Sequence, residues 1–192
     1  MFSNKNYPCL QLANIAESWQ KGQPFKKDDI ILNGSHPCIH YGELFTQYGI
    51  FIEDIISKTN AEQIRVSKAG DILFPASDVT PVGLTKCSAL LLDDIILGGD
   101  IVVMRPFKGN NSVYLSYAIQ MEKEQLLSRI TGSVVRHISA KSLQSVTIIV
   151  PPIKKQEQFE ALIRQSDKSK LFGAKHRLQH ITGGYTCLAK QI

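Results

Sequence analysis

The chain has 192 residues, 43% hydrophobic and 20% charged, which is the range of an ordinary globular protein with a core large enough to need no staples. Its net charge of +5 is unevenly placed: residues 1–150 carry 14 basic and 14 acidic side chains, whereas 151–192 carry 8 and 3. Bulk charge therefore excludes a simple polycation that coats nucleic acid, and any such role must rest on local patches in a neutral body.

Tyr7 to Ala16 is apolar enough to pack on a core as a strand or short helix, and Gln23 to Asp29 is a polar loop. Asn33-Gly34 is a hairpin signal ahead of a short strand, Pro37 to Tyr41. Gly42 to Phe45 and Tyr48-Gly49 read as a turn or a single helical turn, and Ile50 to Ile56 alternates imperfectly. Ala69-Gly70-Asp71 predicts a tight turn feeding the apolar strand Ile72-Leu73-Phe74. Further strands are expected at Ser88 to Leu92 and Ile95 to Leu97. Gly98-Gly99-Asp100 is a second such turn, leading into Ile101 to Arg105 with Pro106 closing it. Asn111 to Arg129 carries an apolar stripe opposite Glu122 to Glu124 and predicts a helix. Ser139 suits an N-cap, and Val146 to Val150, mostly β-branched, suits a central strand.

Pro151-Pro152 ends that strand and opens a tail helix, since proline in a first turn gives up an N–H with no intrahelical partner. Phe159, Leu162 and Ile163 form one apolar cluster on it, and Leu171, Ala174, Leu178 and Ile181 continue at heptad-like spacing before Gly183-Gly184. A helix from about 154 to 181 would be roughly 40 Å long, more than a small body needs, so a partner surface is its natural use. The expected fold is mixed α+β: a strand-rich globular domain at 1–152, then a long helix and C-terminal tail at 153–192 used for coiled-coil-like pairing.

Catalytic signatures are missing. There is no phosphate-cradling G-x-x-x-x-G-K-[ST] loop and no G-x-S-x-G elbow. Methyl-donor glycine motifs and the nuclease pattern of Pro-Asp followed by Glu-x-Lys are also absent. His176 and His180 stand four apart but lack the H-E-x-x-H context, and are read as solvated helix positions rather than a zinc site. Asp28-Asp29 and Asp93-Asp94 are read as solvent-facing turn residues. Cys9, Cys38, Cys87 and Cys187 are scattered and read as reduced thiols, which fits a cytoplasmic protein. Met1 to Leu10 shows no signal peptide, and no stretch is long and apolar enough to span a membrane. No cofactor, metal or catalytic residue is expected.

The order of motifs is more telling than any one of them. Pro37 to Gly42 (Pro-x-Ile-x-Tyr-Gly) precedes Val66 to Leu73 (Val-x-Lys-x-Gly-Asp-Ile-Leu) and Gly99 to Pro106 (Gly-Asp-Ile-x-x-x-Arg-Pro). A helix follows, then Thr131-Gly132-Ser133, Ile138, Leu143, Ile148, Pro151-Pro152-Ile153 and Gln156-Glu157-Gln158. This order resembles one half of the specificity subunit of a type I restriction–modification system, from about residue 7 to 181. Such subunits carry two target-recognition domains, each followed by a long helix, and the helices pack antiparallel as a spacer. The Glu-Gln pair usual after the prolines stands here as Glu157-Gln158, displaced by Lys154-Lys155. One recognition domain is present where a complete subunit has two, which leaves a natural half-subunit, a truncated gene or a fragment.

The resemblance implies a non-catalytic subunit that binds a half-site in double-stranded DNA. It would direct separate methyltransferase (modification) and restriction subunits, and two copies would pair as a homodimer through their tails. Candidate DNA contacts must be polar, reachable and in loops of the body. They are Lys26, Lys27, Ser35, His36, Tyr41, Ser77, Thr80, Lys86, Lys108, Asn110, Asn111 and Arg136. Lys108-Gly109-Asn110-Asn111 offers a cation, two amides and a close-approach glycine, or else an ordinary loop and helix cap. Arg136 either reaches a guanine or satisfies a neighbouring carboxylate. The tail cations Lys154, Lys155, Arg164, Lys168, Lys170, Lys175 and Arg177 either follow the DNA backbone or form the solvated face of a coiled coil. The alternative function is a dimerising adaptor, or competing half-subunit, that binds the partner subunits without reading DNA; a small enzyme is disfavoured by the missing catalytic motifs.

Overall fold

The structure, a computed structural model, describes residues 7–166. In chain order the strands are β1 (Cys9–Gln11), β2 (Ala16–Lys21), β3 (His36–Ile39), β4 (Phe51–Ile52), β5 (Ser57–Thr59), β6 (Asp71–Pro75), β7 (Ser77–Asp78), β8 (Ser88–Leu90), β9 (Ile96–Leu97), β10 (Ile101–Pro106), β11 (Arg136–His137) and β12 (Thr147–Ile149). The helices are α1 (Glu43–Thr46), α2 (Ser112–Met121), α3 (Lys123–Leu127) and α4 (Ala140–Gln144), followed by α5, helical from 153 to 166 where the described residues end.

A five-stranded sheet in the order β2-β10-β6-β8-β4 forms the spine. Its pairs are antiparallel except for β4 and β8. Successive residues of a strand point to opposite faces, and here both faces are covered. Ile72, Phe74, Val102 and Met104 enter one cluster with Leu12, Tyr114, Leu115, Ile119, Leu143 and Ile148, which is the helical side. Leu73, Ile101 and Val103 enter another with Ile39, Leu44, Ile52, Leu90 and Leu97, the side of α1 and the small sheet β5-β3-β9. The continuous apolar runs of β6 and β10 follow from this two-sided burial.

The Gly70-Asp71 turn has two physical requirements. Gly70 adopts φ +95°, where a side chain would be strained. Asp71, with 1% of its side chain exposed, accepts the Lys68 N–H at 2.8 Å and both the Nε–H and an Nη–H of Arg105 at 2.8 Å. Those bonds to Asp71 also push the Arg105 guanidinium further into its charged range. The carboxylate thus closes the turn and ties the start of β6 to the end of β10.

Three expectations change. Val146 to Val150 is not a central strand: β12 pairs only with β1, and its Ile149 is 41% exposed while Ile148 is fully buried. One buried face suits β-branched residues as well as two do. Asn33-Gly34 makes a turn but no hairpin, because β3 takes its antiparallel partner from β5. Gly34 is needed there for closeness, since a Cβ would stand 2.3 Å from the Thr59 amide nitrogen. The helix expected over Asn111 to Arg129 is two helices, broken at Glu122 with ψ 39°. Gln125 crosses the break, donating to Glu122 and accepting the Thr147 N–H.

Arg105→Met leaves a buried carboxylate with one backbone donor, and is expected to lower stability by about 3 kcal/mol in urea unfolding. Asp71→Asn costs less, because the Arg105 side chain is 20% exposed and can turn to water.

Candidate nucleic-acid interface

Beyond the Pro75 end of β6 the chain leaves the sheet and pairs as β7 with β11 to form a two-stranded ribbon. One wall of a cavity of about 650 Å³, open to solvent, is made by Ser77, Asp78, Val79 and Val135 of this ribbon and its continuation. The other wall comes from Lys27, in a 3-10 turn that Asp29 closes by accepting the Lys26 N–H at 2.7 Å, and from His40 and Tyr41 after β3. Glu43, 6% exposed, sits beneath them, accepting the His40 N–H at 2.7 Å and the Ser57 hydroxyl at 2.6 Å.

His40 is the notable group of that wall. Its Nδ1 accepts the Gly42 N–H at 3.2 Å, so the proton of the neutral ring rides on Nε2. Burial, helped by Lys27 and opposed by Glu43 and Asp100, pulls its pKa below the ordinary imidazole value. Tyr41 packs on it with ring centroids 4.3 Å apart. The neutral ring offers a donor rather than a charge. His40 is not among the contacts expected from the sequence, because nothing local marks it out from its neighbours in the run Pro37 to Tyr41.

Arg136 lies opposite Asp78 in the β7–β11 register, yet no ion pair joins them among the described residues. The Asp78 oxygens instead accept the Val79 N–H and the Thr80 hydroxyl, both at 2.7 Å. Thr80 is thereby held at the ribbon tip, and the Arg136 guanidinium makes no hydrogen bond to another described residue. Of the expected contacts, Lys26, Lys27, Tyr41, Ser77, Thr80 and Arg136 therefore gather on or beside one cavity.

The others lie elsewhere. Ser35 bonds the Asn60 side chain through its N–H at 2.9 Å and its hydroxyl at 3.1 Å, and His36 pairs with Thr59 in the small sheet. Lys86 donates to the Phe45 carbonyl at 3.1 Å. Lys108 and Asn110 stand by Gly70 and Arg105, at the end of the spine where β6 begins, opposite the ribbon. Asn111 is heavily used: its Oδ1 caps α2 by accepting the Tyr114 N–H at 2.9 Å, and its Nδ2 donates to Glu160 at 2.5 Å. Asp29 and Asp93 accept backbone N–H groups at turns. Burial, then Glu43, raises the Cys38 thiol to about 12, and burial raises Cys87 further.

That same end holds the tail helix. Gln156, 2% exposed, donates to the Pro151 carbonyl at 2.8 Å and accepts the Asn111 N–H at 2.8 Å. Phe159 stacks 5.5 Å from Tyr114 and 4.6 Å from Tyr117 and joins the core, with Ile163 packed behind it. Arg164 pairs with Glu160 at 2.7 Å and with Glu53, and lies over the Phe51 ring. Phe159 and Ile163 thus seat the helix on its own body, whereas Leu162 is 45% exposed. Leu171, Ala174, Leu178, Ile181, the His176 and His180 pair and the cations from Lys168 onward lie outside the described residues.

Residues 4–181 match the type I restriction modification DNA specificity domain. The chain belongs to this family. Among solved structures, the S subunit of a type I restriction–modification system from M. genitalium aligns with a TM-score of 0.62 at 13% identity, over 94% of this chain and 44% of that one. The HsdS subunit from Thermoanaerobacter tengcongensis aligns at 0.58 and 19%, over 93% and 41%. A chain from work on complex assembly and conformational transition of the type I R-M system aligns at 0.63 and 19%, over 96% and 45%. At such identities the likeness to this specificity domain is one of fold, and the chain spans less than half the length of these solved relatives. No curated protein matches it. Among the described residues no helix is long and apolar enough to cross a membrane.

Burial works against the Glu160 carboxylate, but bonds from Asn111 and Arg164 outweigh it and hold its pKa below the ordinary 4.5. Its stabilisation is present above that value and is lost as pH falls through the lower folded value. Thermal unfolding between about pH 6 and pH 3 should show wild type losing its advantage over Glu160→Gln. Gln156→Ala, which strips partners from two backbone groups, should cost about 2 kcal/mol at neutral pH.

Proposed function

We propose that this domain reads one half-site of double-stranded DNA and supplies the address for methyltransferase and restriction subunits that carry the chemistry. The ribbon and the facing wall enter the major groove, Lys26 and Lys27 hold phosphates, and Arg136 takes a guanine edge. The observation that carries this reading is an Arg136 guanidinium with no hydrogen bond to another described residue, on the ribbon whose Ser77 and Val79 line one cavity with Lys27 and His40. A guanidinium committed to Asp78 would be spent; this one is available.

The second half-site comes from another recognition domain, either a second copy paired through the tail or a further domain of a longer subunit. Leu162 and the heptad from Leu171 to Ile181 supply the pairing surface, since Phe159 and Ile163 are already used by the body. The protein acts in the cytoplasm, where the Cys38 and Cys87 thiols stay reduced. Lys108 and Asn110, beside the tail helix, contact the DNA backbone between half-sites rather than bases.

Sequencing of methylated bases in cells with and without this gene tests the reading. The bipartite methylation pattern is expected to vanish when the gene is removed. Unchanged methylation would leave the adaptor reading, in which the chain binds partner subunits only. Arg136→Ala should weaken binding to the methylated sequence by roughly ten- to a hundredfold and relax the preference at one guanine. Lys27→Ala should weaken all sequences alike and lower the slope of log affinity on log salt by about 1.

A further inference from the structure

We infer that Val79 and Val135 form a specificity-determining pair that recognises the 5-methyl group of thymine. The inference rests on the DNA reading proposed above. Val79 is 70% exposed and Val135 47%, with Val134 beside them at 80%. Val79 follows Asp78 and Val135 precedes Arg136, the last paired residues of the β7–β11 ladder, and both line the cavity. Large apolar side chains held toward water contribute nothing to this fold; neither Val79 nor Val135 joins any of its hydrophobic clusters.

Their chemistry restricts what they can recognise. A valine neither donates nor accepts, so it distinguishes bases by shape and apolar contact alone. Base edges in the major groove present donors and acceptors, and the one apolar group among them is the thymine methyl. A two-stranded ribbon is slim enough to enter that groove. Both valines are branched at Cβ and stiff at χ1, so contact costs them little freedom. Facing them, Lys27 and the Nε2 side of His40 supply a cation and a donor. Ser77, in β7 two residues before Val79, adds a hydroxyl. The two valines thereby give the ribbon side an apolar patch beside Ser77 and Asp78 and across from Lys27 and His40, which suits an A·T pair with the thymine methyl toward the ribbon.

Duplexes bound by the full chain, alone and with its modification subunits, would be enriched from a randomised pool. Single thymines of the enriched sequence would then be replaced by deoxyuridine, which removes only the methyl group. Wild type is expected to bind about fourfold more weakly at one or two positions. Val79→Ala and Val135→Ala should shrink that penalty toward none while binding the uracil duplex as wild type does. Thermal unfolding of both variants would confirm that they fold. Equal binding of thymine and uracil duplexes at every position overturns the inference and leaves the DNA reading intact. Equal loss on both duplexes in the valine variants, the mark of a general wedge, also overturns it. A pool in which no sequence is enriched sinks the DNA reading and this inference together.

Discussion

The Asp71 carboxylate, almost wholly shut away from water, is the point on which the arrangement turns. A buried charge is tolerated only when fully paired. Arg105 meets it with two donors and Lys68 with a third. That bidentate pair fixes the register of β6 against β10 at one end, and these two central strands carry side chains into the clusters on both faces. With the register set, the two ends of the spine are also set. One end releases the β7–β11 ribbon; the other receives the tail helix.

This polarity separates two tasks. At the ribbon end, side chains are left with spare bonding capacity: Arg136 has no partner among the described residues, His40 keeps a donor, and Val79 and Val135 face solvent. At the helix end the polar groups that join the body to the tail helix are consumed within the chain. Asn111 caps one helix and ties another, and Gln156 joins a proline carbonyl to the Asn111 amide. Exposed and satisfied groups hold parts together, whereas exposed and unsatisfied ones invite a ligand.

Much of the fold was legible because local signals and burial agree. The Gly-Asp turns into apolar runs and the proline stop after Arg105 needed no tertiary information. The double-proline helix start also stands where expected. Other features needed it. Val146 to Val150 carries β-branched residues that serve one buried face as readily as two, so composition could not separate a core strand from the β1–β12 pair. Asn33-Gly34 has the residues of a hairpin turn, but the small sheet draws β3 to β5 instead. The candidate contacts were chosen for polarity and loop position. Those criteria cannot tell Asn111, spent on α2 and Glu160, from Arg136, whose guanidinium bonds no other described residue. They also pass over His40 and the valines, whose meaning depends on what faces them across the cavity.

The ribbon stands outside every buried cluster, and this bears on how such a domain changes over time. Substitutions on exposed positions away from caps and cores typically shift stability by about 0.5 kcal/mol or less. Val79, Val134 and Val135 are in that position, while Asp71, Arg105 and Gln156 are not. New combinations of side chains can therefore be sampled at the ribbon tip without drawing on a stability reserve of only about 5–15 kcal/mol. Folding and target choice are thereby inherited as separable traits, and drift in the second need not endanger the first.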